Sequence, residues 1–176
     1  MTEAVNSQNT SPTTTPYELI GGEPRIHALV ERFYDLMEIE PKYAELRATH
    51  HESLDMTREK LFFFLSGWLG GPQLYMEKYG HPRLRARHLP FKIGALERDQ
   101  WVACMAQAMR EIEVPEYLFQ KLINSFYNTA EWMRNQPDPV EGEPQMPMMG
   151  VKPPDLTATF ERLSAQYGVQ ILAKGE

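Results

Sequence analysis

Apolar residues recur along this chain at helical spacing. The clearest stripe is Ile26, Leu29, Val30, Phe33, Tyr34 and Met37, at i, i+3, i+4, i+7, i+8 and i+11, which is one face of an α-helix. Pro24 opens it at a favoured first-turn position. Upstream, Tyr17, Leu19 and Ile20 form one apolar turn stopped by Gly21 and Gly22. The same period returns in Trp101, Cys104, Met105, Ala108, Met109 and Ile112, and again after Pro115 in Phe119, Leu122, Ile123, Phe126, Tyr127, Ala130 and Met133. Between these, Ser53 suits the N-cap of a helix that Gly70 and Gly71 end. Leu61, Phe64, Leu65, Trp68 and Leu69 make its inner stripe. Phe62 and Phe63 spread the apolar surface almost all round, so this helix needs cover on more than one side. The pattern predicts an all-α fold.

The remaining segments are short. After Pro41 a brief helical piece leads to Thr49-His50-His51-Glu52-Ser53, and Pro72 to Gly80 reads as a loop or partial turn. Gly80 and Pro82 on one side and Pro90 on the other leave Arg83 to His88 room for little more than one turn. Residues 136–154 are rich in Pro and Met and read as a semi-rigid linker. Beyond it, Asp155 can cap a short helix holding Leu156, Phe160, Leu163 and Tyr167, free to fold back on the core or to mediate self-association as a homo-oligomer. Residues 1–16, rich in Thr, Ser and Asn, read as a disordered arm. The expected organisation is an arm over 1–16, a helical domain over 17–135, and a linker with a C-terminal helix over 136–176.

Composition narrows the class. A chain of 176 residues supports one domain with a real core plus tails. Its net charge of −6 argues against nucleic acid as a default partner. One cysteine permits no internal disulfide, in keeping with a cytoplasmic location. Cys104 reads as a small buried hydrophobe, since nothing basic neighbours it to stabilise a thiolate. The arm has no basic start and no apolar stretch of a secretory signal. The most apolar run, Leu61 to Leu65, is far shorter than a membrane span, so a soluble protein is expected, with no membrane partner.

The candidate chemistry lies in Tyr79-Gly-His-Pro-Arg-Leu-Arg-Ala-Arg-His-Leu-Pro-Phe91. On the residues alone His88 is open to several readings. It is a satisfied residue near a helix end, part of a solvated basic face or anion patch, or a metal ligand. Haem suits a histidine held beside Arg85 and Arg87, because its iron takes an imidazole nitrogen and its propionates take guanidinium groups. A non-haem metal held by His81 and His88, at i and i+7 across Pro82, is an alternative. Another is a cofactor-free helical interaction module using its aromatic faces.

The run Gly70-Gly71-Pro72, the Tyr79–Phe91 stretch, Glu97-Arg-Asp-Gln-Trp101 and Cys104-Met105 together resemble the signature of group II truncated haemoglobins, across about residues 16 to 135. The resemblance implies a truncated globin fold, a two-over-two helical sandwich around haem b. It makes His88 the proximal iron ligand and Trp101 a distal hydrogen-bond donor. Phe33-Tyr34 resembles the family's Phe-Tyr pair, whose Tyr hydroxyl faces bound ligand; without the family, Tyr34 is a core aromatic whose hydroxyl finds a carbonyl. His50 falls where relatives usually carry Tyr or Phe, and three roles stay open for it: donating to ligand, binding the iron, or swinging into solvent. Thr57 and Leu61 are expected to look into the distal space. Leu65, Tyr75, Leu84, Phe91 and Ile93 are expected to contact the cofactor, and Arg87, with Arg85 or Tyr75, to pair with a propionate. The implied partners are dioxygen and other diatomics, together with an unidentified reductase for any oxygen, nitric oxide or peroxide redox role.

Overall fold

The computed structural model describes residues 14–51, 53–137 and 155–174, and these form helices with no strand among the described residues. The expected arm, apart from its last three residues, and the expected linker, apart from its first two, lie outside the described residues. Helix α1 (Pro16–Ile20) carries a capping box in which Thr15 and Glu18 satisfy each other's backbone N–H groups. Gly21, at φ +112°, ends it, a conformation open to glycine without a Cβ penalty. Helix α2 (Glu23–Ile39) follows, with the whole Ile26 to Met37 stripe buried.

A 3-10 turn at Pro41–Tyr43 and the one-turn helix α3 (Ala44–Ala48) make the corner that leads to α4 (Leu54–Trp68), capped by Ser53. The two long C-terminal helices are α7 (Ala95–Glu111) and α8 (Glu116–Met133). Helix α2 packs on α4 and crosses α7, while α7 packs on α8. These are the two pairs of a two-over-two sandwich. The core is the sum of their inner faces, including Phe33, Met105, Met109 and Phe119, each with essentially no exposed surface. Cys104 is fully buried and donates its thiol to the Phe33 carbonyl at 3.3 Å, and burial pushes its pKa up.

One expected loop is a helix. Residues Leu74–Tyr79 form α5, because Tyr75 and Tyr79 lie four apart with no breaker between them and together cover α4. Tyr75 stands edge-on to Phe64 at 6.4 Å, and Tyr79 packs on Phe63 at 6.5 Å. Phe62 is covered from α2 by the ring of His27 at 4.7 Å. The apolar girth of α4 is therefore met by neighbours on both sides within the same chain. The link into α5 is tight: a Cβ on Gly71 would collide with the Tyr17 ring. Helix α6 (Leu84–His88) begins at Arg83, whose φ of +43° is a left-handed conformation that a non-glycine residue adopts at a cost.

The C-terminal helix is α9 (Thr157–Tyr167), with Asp155 accepting from the backbone and hydroxyl of Thr157. It folds back on α7. Phe160, Leu163, Tyr167, Val169 and Ile171 are buried there. This cover explains a feature the apolar pattern does not show, the burial of Arg98, Asp99 and Gln100 at the start of α7. Arg98 pairs with Asp99 at 2.9 Å and with Glu131, and Arg162 of α9 reaches Asp99 at 3.0 Å. Buried charges need such partners.

Candidate functional site

His88 sits on the last residue of α6, half-buried. Its Nδ1 lies 2.6 Å from the Leu84 carbonyl oxygen. A carbonyl only accepts, so Nδ1 carries the proton and Nε2 keeps its lone pair. That is the form of imidazole that binds iron. Asn135, just beyond α8, fastens the strip that follows: its Nδ2 donates to the Phe91 carbonyl at 2.7 Å and the His88 carbonyl at 3.3 Å, and its Oδ1 accepts from Ile93 N–H at 3.0 Å. The role of Asn135 was invisible in the sequence, where it reads as one more polar residue at a helix end.

The arginines divide. Arg87 is exposed and holds its guanidinium over the Tyr75 ring at 5.6 Å, so these two of the expected propionate partners are together. Arg85 is spoken for, donating to the carbonyls of Trp132 and Arg134 at the end of α8. His81 is exposed and its Nδ1 accepts from Arg83 N–H at 3.1 Å. It serves as a local cap, and among the described residues no group of three or more His, Cys, Asp or Glu is placed to hold a metal ion.

On the other side, a run of ring contacts joins four helices. Phe64 stacks on Trp68 at 6.5 Å, Trp68 on Phe126 at 4.8 Å, and Phe126 meets Trp101 at 5.4 Å. Trp101 lies 5.3 Å from Phe33, which meets Tyr34 at 5.0 Å, and Tyr34 stands edge-on to His50 at 6.1 Å. Trp68 and Phe126 are wall residues that the helical stripes marked only as core. Tyr34 is almost fully buried, which raises its pKa and keeps the phenol protonated. Neither its hydroxyl nor the Trp101 indole N–H makes a hydrogen bond within the described residues. Neither atom is sealed from solvent, so both donors are free for a bound group that accepts from them.

Arg58, on α4, covers the outer edge of Tyr34 with its guanidinium 5.6 Å from the ring centre. It is held by α2, through the Glu31 carbonyl at 3.1 Å, the Glu31 carboxylate at 2.7 Å and Asp35 at 2.9 Å. Nothing in the residue pattern singles it out.

His50 departs from the expected donor. Its Nδ1 lies 3.1 Å from the Leu46 carbonyl, so its N–H is used by the backbone and Nε2 is left as an acceptor. Burial lowers its pKa, opposed by the Leu46 bond, and the electrostatic influence of Arg47, His88 and His51 lowers it further, so the neutral ring is favoured at pH 7. The imidazoles of His50 and His88 are thus within electrostatic reach of each other. Of the remaining expected contacts, Thr57, Leu61, Leu84 and Ile93 are half-buried, Tyr75 is buried, Phe91 is exposed and stacked on His51 at 6.4 Å, and Leu65 is sealed in the core.

A free imidazole Nε2, phenol and indole donors without a partner among the described residues, and a run of aromatic rings are a donor set that fits an iron porphyrin. The comparisons agree with the fold. The chain belongs to the bacterial-like globin family, whose model it matches over residues 15–135, and such a globin has a haem-based ligand-binding function. Among its relatives is the group 2 truncated hemoglobin YjbI of Bacillus subtilis, 42% identical over 125 residues that span 69% of this chain and 89% of that protein. The group II 2-on-2 hemoglobin from Agrobacterium tumefaciens superposes with a TM-score of 0.70 at 41% identity, covering 73% of this chain and 99% of that one. The truncated oxygen-avid haemoglobin from Bacillus subtilis gives 0.64 at 38% identity, covering 69% and 100%. Among the described residues no helix is long and apolar enough to cross a membrane.

Proposed function

We propose that the chain holds haem b through His88 Nε2 and reversibly binds dioxygen and other diatomics, using them in redox chemistry. Haem b, when bound, would supply a ferrous iron able to take up a small diatomic ligand. The Leu84 carbonyl fixes the ring tautomer of His88 and raises its basicity as a ligand. Arg87, backed by Tyr75, is placed to pair with a propionate, where the guanidinium fork suits a carboxylate. Tyr34 O–H and Trp101 N–H would donate to a bound ligand carrying partial negative charge. Neutral His50 offers Nε2 as an acceptor, suited to a ligand or water that brings its own proton.

The observation that carries this reading is a histidine whose tautomer leaves Nε2 free, on a globin-family chain in which phenol and indole donors without a hydrogen-bond partner are joined through Phe33. Each donor to a charged partner contributes about 1.5 to 3 kcal/mol. Two together slow ligand escape by roughly two to four decades. A tightly held oxygen favours reaction over carriage, and the name of the oxygen-avid relative from Bacillus subtilis is in keeping with this. Such chemistry requires an external reductase.

The test is spectroscopic. Purified protein should show a Soret band that responds to carbon monoxide, and His88→Ala should lose it. Trp101→Phe should raise the oxygen dissociation rate roughly tenfold or more, the equivalent of one lost charged hydrogen bond. Pigment unchanged in His88→Ala would remove the histidine, and an unchanged rate would remove the tryptophan.

A further inference from the structure

The segment beyond residue 135 lies outside the family match and has no part in the reading above, yet it reaches the corner that carries His50. Tyr167, the last residue of α9, is buried and stacks on Tyr43 with ring centres 6.1 Å apart and planes 24° from parallel. Its carbonyl accepts from Lys42 Nζ at 2.9 Å. Its hydroxyl accepts from Gln166 Nε2 at 3.4 Å and is within reach of the Gln100 side chain, which opposes the rise in phenol pKa that burial imposes.

Gln100 is the joint. It is 3% exposed and both ends of its amide are used: Oε1 accepts from Leu46 N–H at 2.9 Å and Nε2 donates to Glu45 at 2.7 Å. Leu46 passes the restraint on, since its carbonyl accepts from the Thr49 hydroxyl at 2.7 Å and from His50 Nδ1 at 3.1 Å. Helix α3 is only five residues long. An isolated turn of that length is not stable by itself, so its placement depends on what packs against it. A buried amide satisfied at both ends specifies one arrangement.

We infer that α9 is a brace for the distal corner: through Tyr167, Gln100 and Leu46 it holds His50 in the orientation and tautomer that keep Nε2 an acceptor. The inference rests on the proposed ligand site for its consequence, but the brace itself is a property of the polypeptide. Tyr167 and Gln100 are positioning residues that act through Leu46. Released from the brace, the corner would let His50 turn, so that its N–H could donate to ligand or its Nε2 could reach the iron.

The experiment uses the full chain with Tyr167→Ala, Tyr167→Phe and Gln100→Leu, each checked for helix content. The first measurement is amide hydrogen exchange at Leu46. It should speed up tenfold or more in Tyr167→Ala and Gln100→Leu, and less in Tyr167→Phe, which keeps the stacking, while the Ile123 amide in α8 stays protected. The second is the oxygen dissociation rate and the six-coordinate fraction of the unliganded haem, in the parent and in a His50→Leu background. Tyr167→Ala should change both in the parent and neither with His50 gone. Unchanged exchange at Leu46, or an equal change in both backgrounds, overturns the brace. A chain that takes up no haem overturns the proposed function instead, and the exchange measurement still decides the brace.

Discussion

At the scale of single residues, the proposed site depends on donors that nothing among the described residues answers. Tyr34 shows how one is held. Its ring is gripped by Phe33 on one edge, and Arg58 lies over it from the neighbouring helix. Because Glu31 and Asp35 bracket Tyr34 on the same helix and both bind Arg58, the guanidinium is fixed relative to the phenol. Arg58→Met keeps the stem and deletes the charge, the hydrogen bonds and a cation–π contact of about 1 kcal/mol. We expect oxygen dissociation to rise roughly fivefold, the rate equivalent of that energy, and to show no further rise when Arg58→Met is added to Tyr34→Phe. A rise of equal size in the Tyr34→Phe background would mean that Arg58 acts on the fold and not on the phenol. Much of this scale was legible in the sequence. Helical spacing put Tyr34 and Trp101 on inner faces, and proline and glycine breakers isolated His88. What could not be read was which atom of a side chain the backbone uses. The Leu46 carbonyl captures the N–H of His50, and Asn135 and Arg85 spend their polar groups on carbonyls far away in sequence. No residue pattern announces a carbonyl.

At the scale of elements, the long helices followed from their apolar stripes, and the short ones depended on partners. Helix α5 stands where the residue pattern reads as a loop or partial turn, because six residues give fewer than two helical turns to count, although Tyr75 and Tyr79 share a face. Its existence rests on the rings of Phe63 and Phe64 beneath it. The turn that feeds α5 makes this testable. Gly71 faces the Tyr17 ring with no room for a methyl group, and Tyr17 N–H donates to the Leu69 carbonyl at 2.9 Å across the same contact. Gly71→Ala should therefore push α1 away from the end of α4 and lower stability by about 1–3 kcal/mol, the usual cost of overpacking. Denaturant unfolding checks it. A midpoint equal to that of the parent would show that α1 shifts aside freely and is no part of the cooperative unit. The fold-back of α9 was likewise open from sequence. Its stripe of Phe160, Leu163 and Tyr167 showed that it would be covered, and not by what. The answer lay in Asp99 and Gln100, polar residues whose burial only a second layer explains.

For the molecule as a whole, charge is the term that varies most with conditions. The chain carries a net −6, and several of its carboxylates hold helices together. Arg32 of α2 binds Glu111 of α7, and Arg110 of α7 binds Glu116 of α8. The hydrogen bonds from these arginines hold both carboxyl groups below their usual range. In the unfolded chain such groups take up protons first as pH falls below about 4.5, so stability declines from there downward. His50 acts higher. Its folded pKa lies below the ordinary 6.5, chiefly because the ring is buried. Between 6.5 and that lower value the unfolded chain binds the extra proton, and stability falls as pH falls. Above 6.5 both states are neutral at this position and it contributes no slope. The melting temperature should therefore be level near pH 7 to 8 with respect to His50, begin to drop below about 6.5, and drop more steeply below about 4.5. The upper step belongs to one residue, facing Arg47, His51 and His88, and His50→Leu should flatten it while leaving the lower step intact. If the upper step survives that substitution, the proton is taken up elsewhere, and the corner that α9 braces is not the acid-sensitive part of the fold.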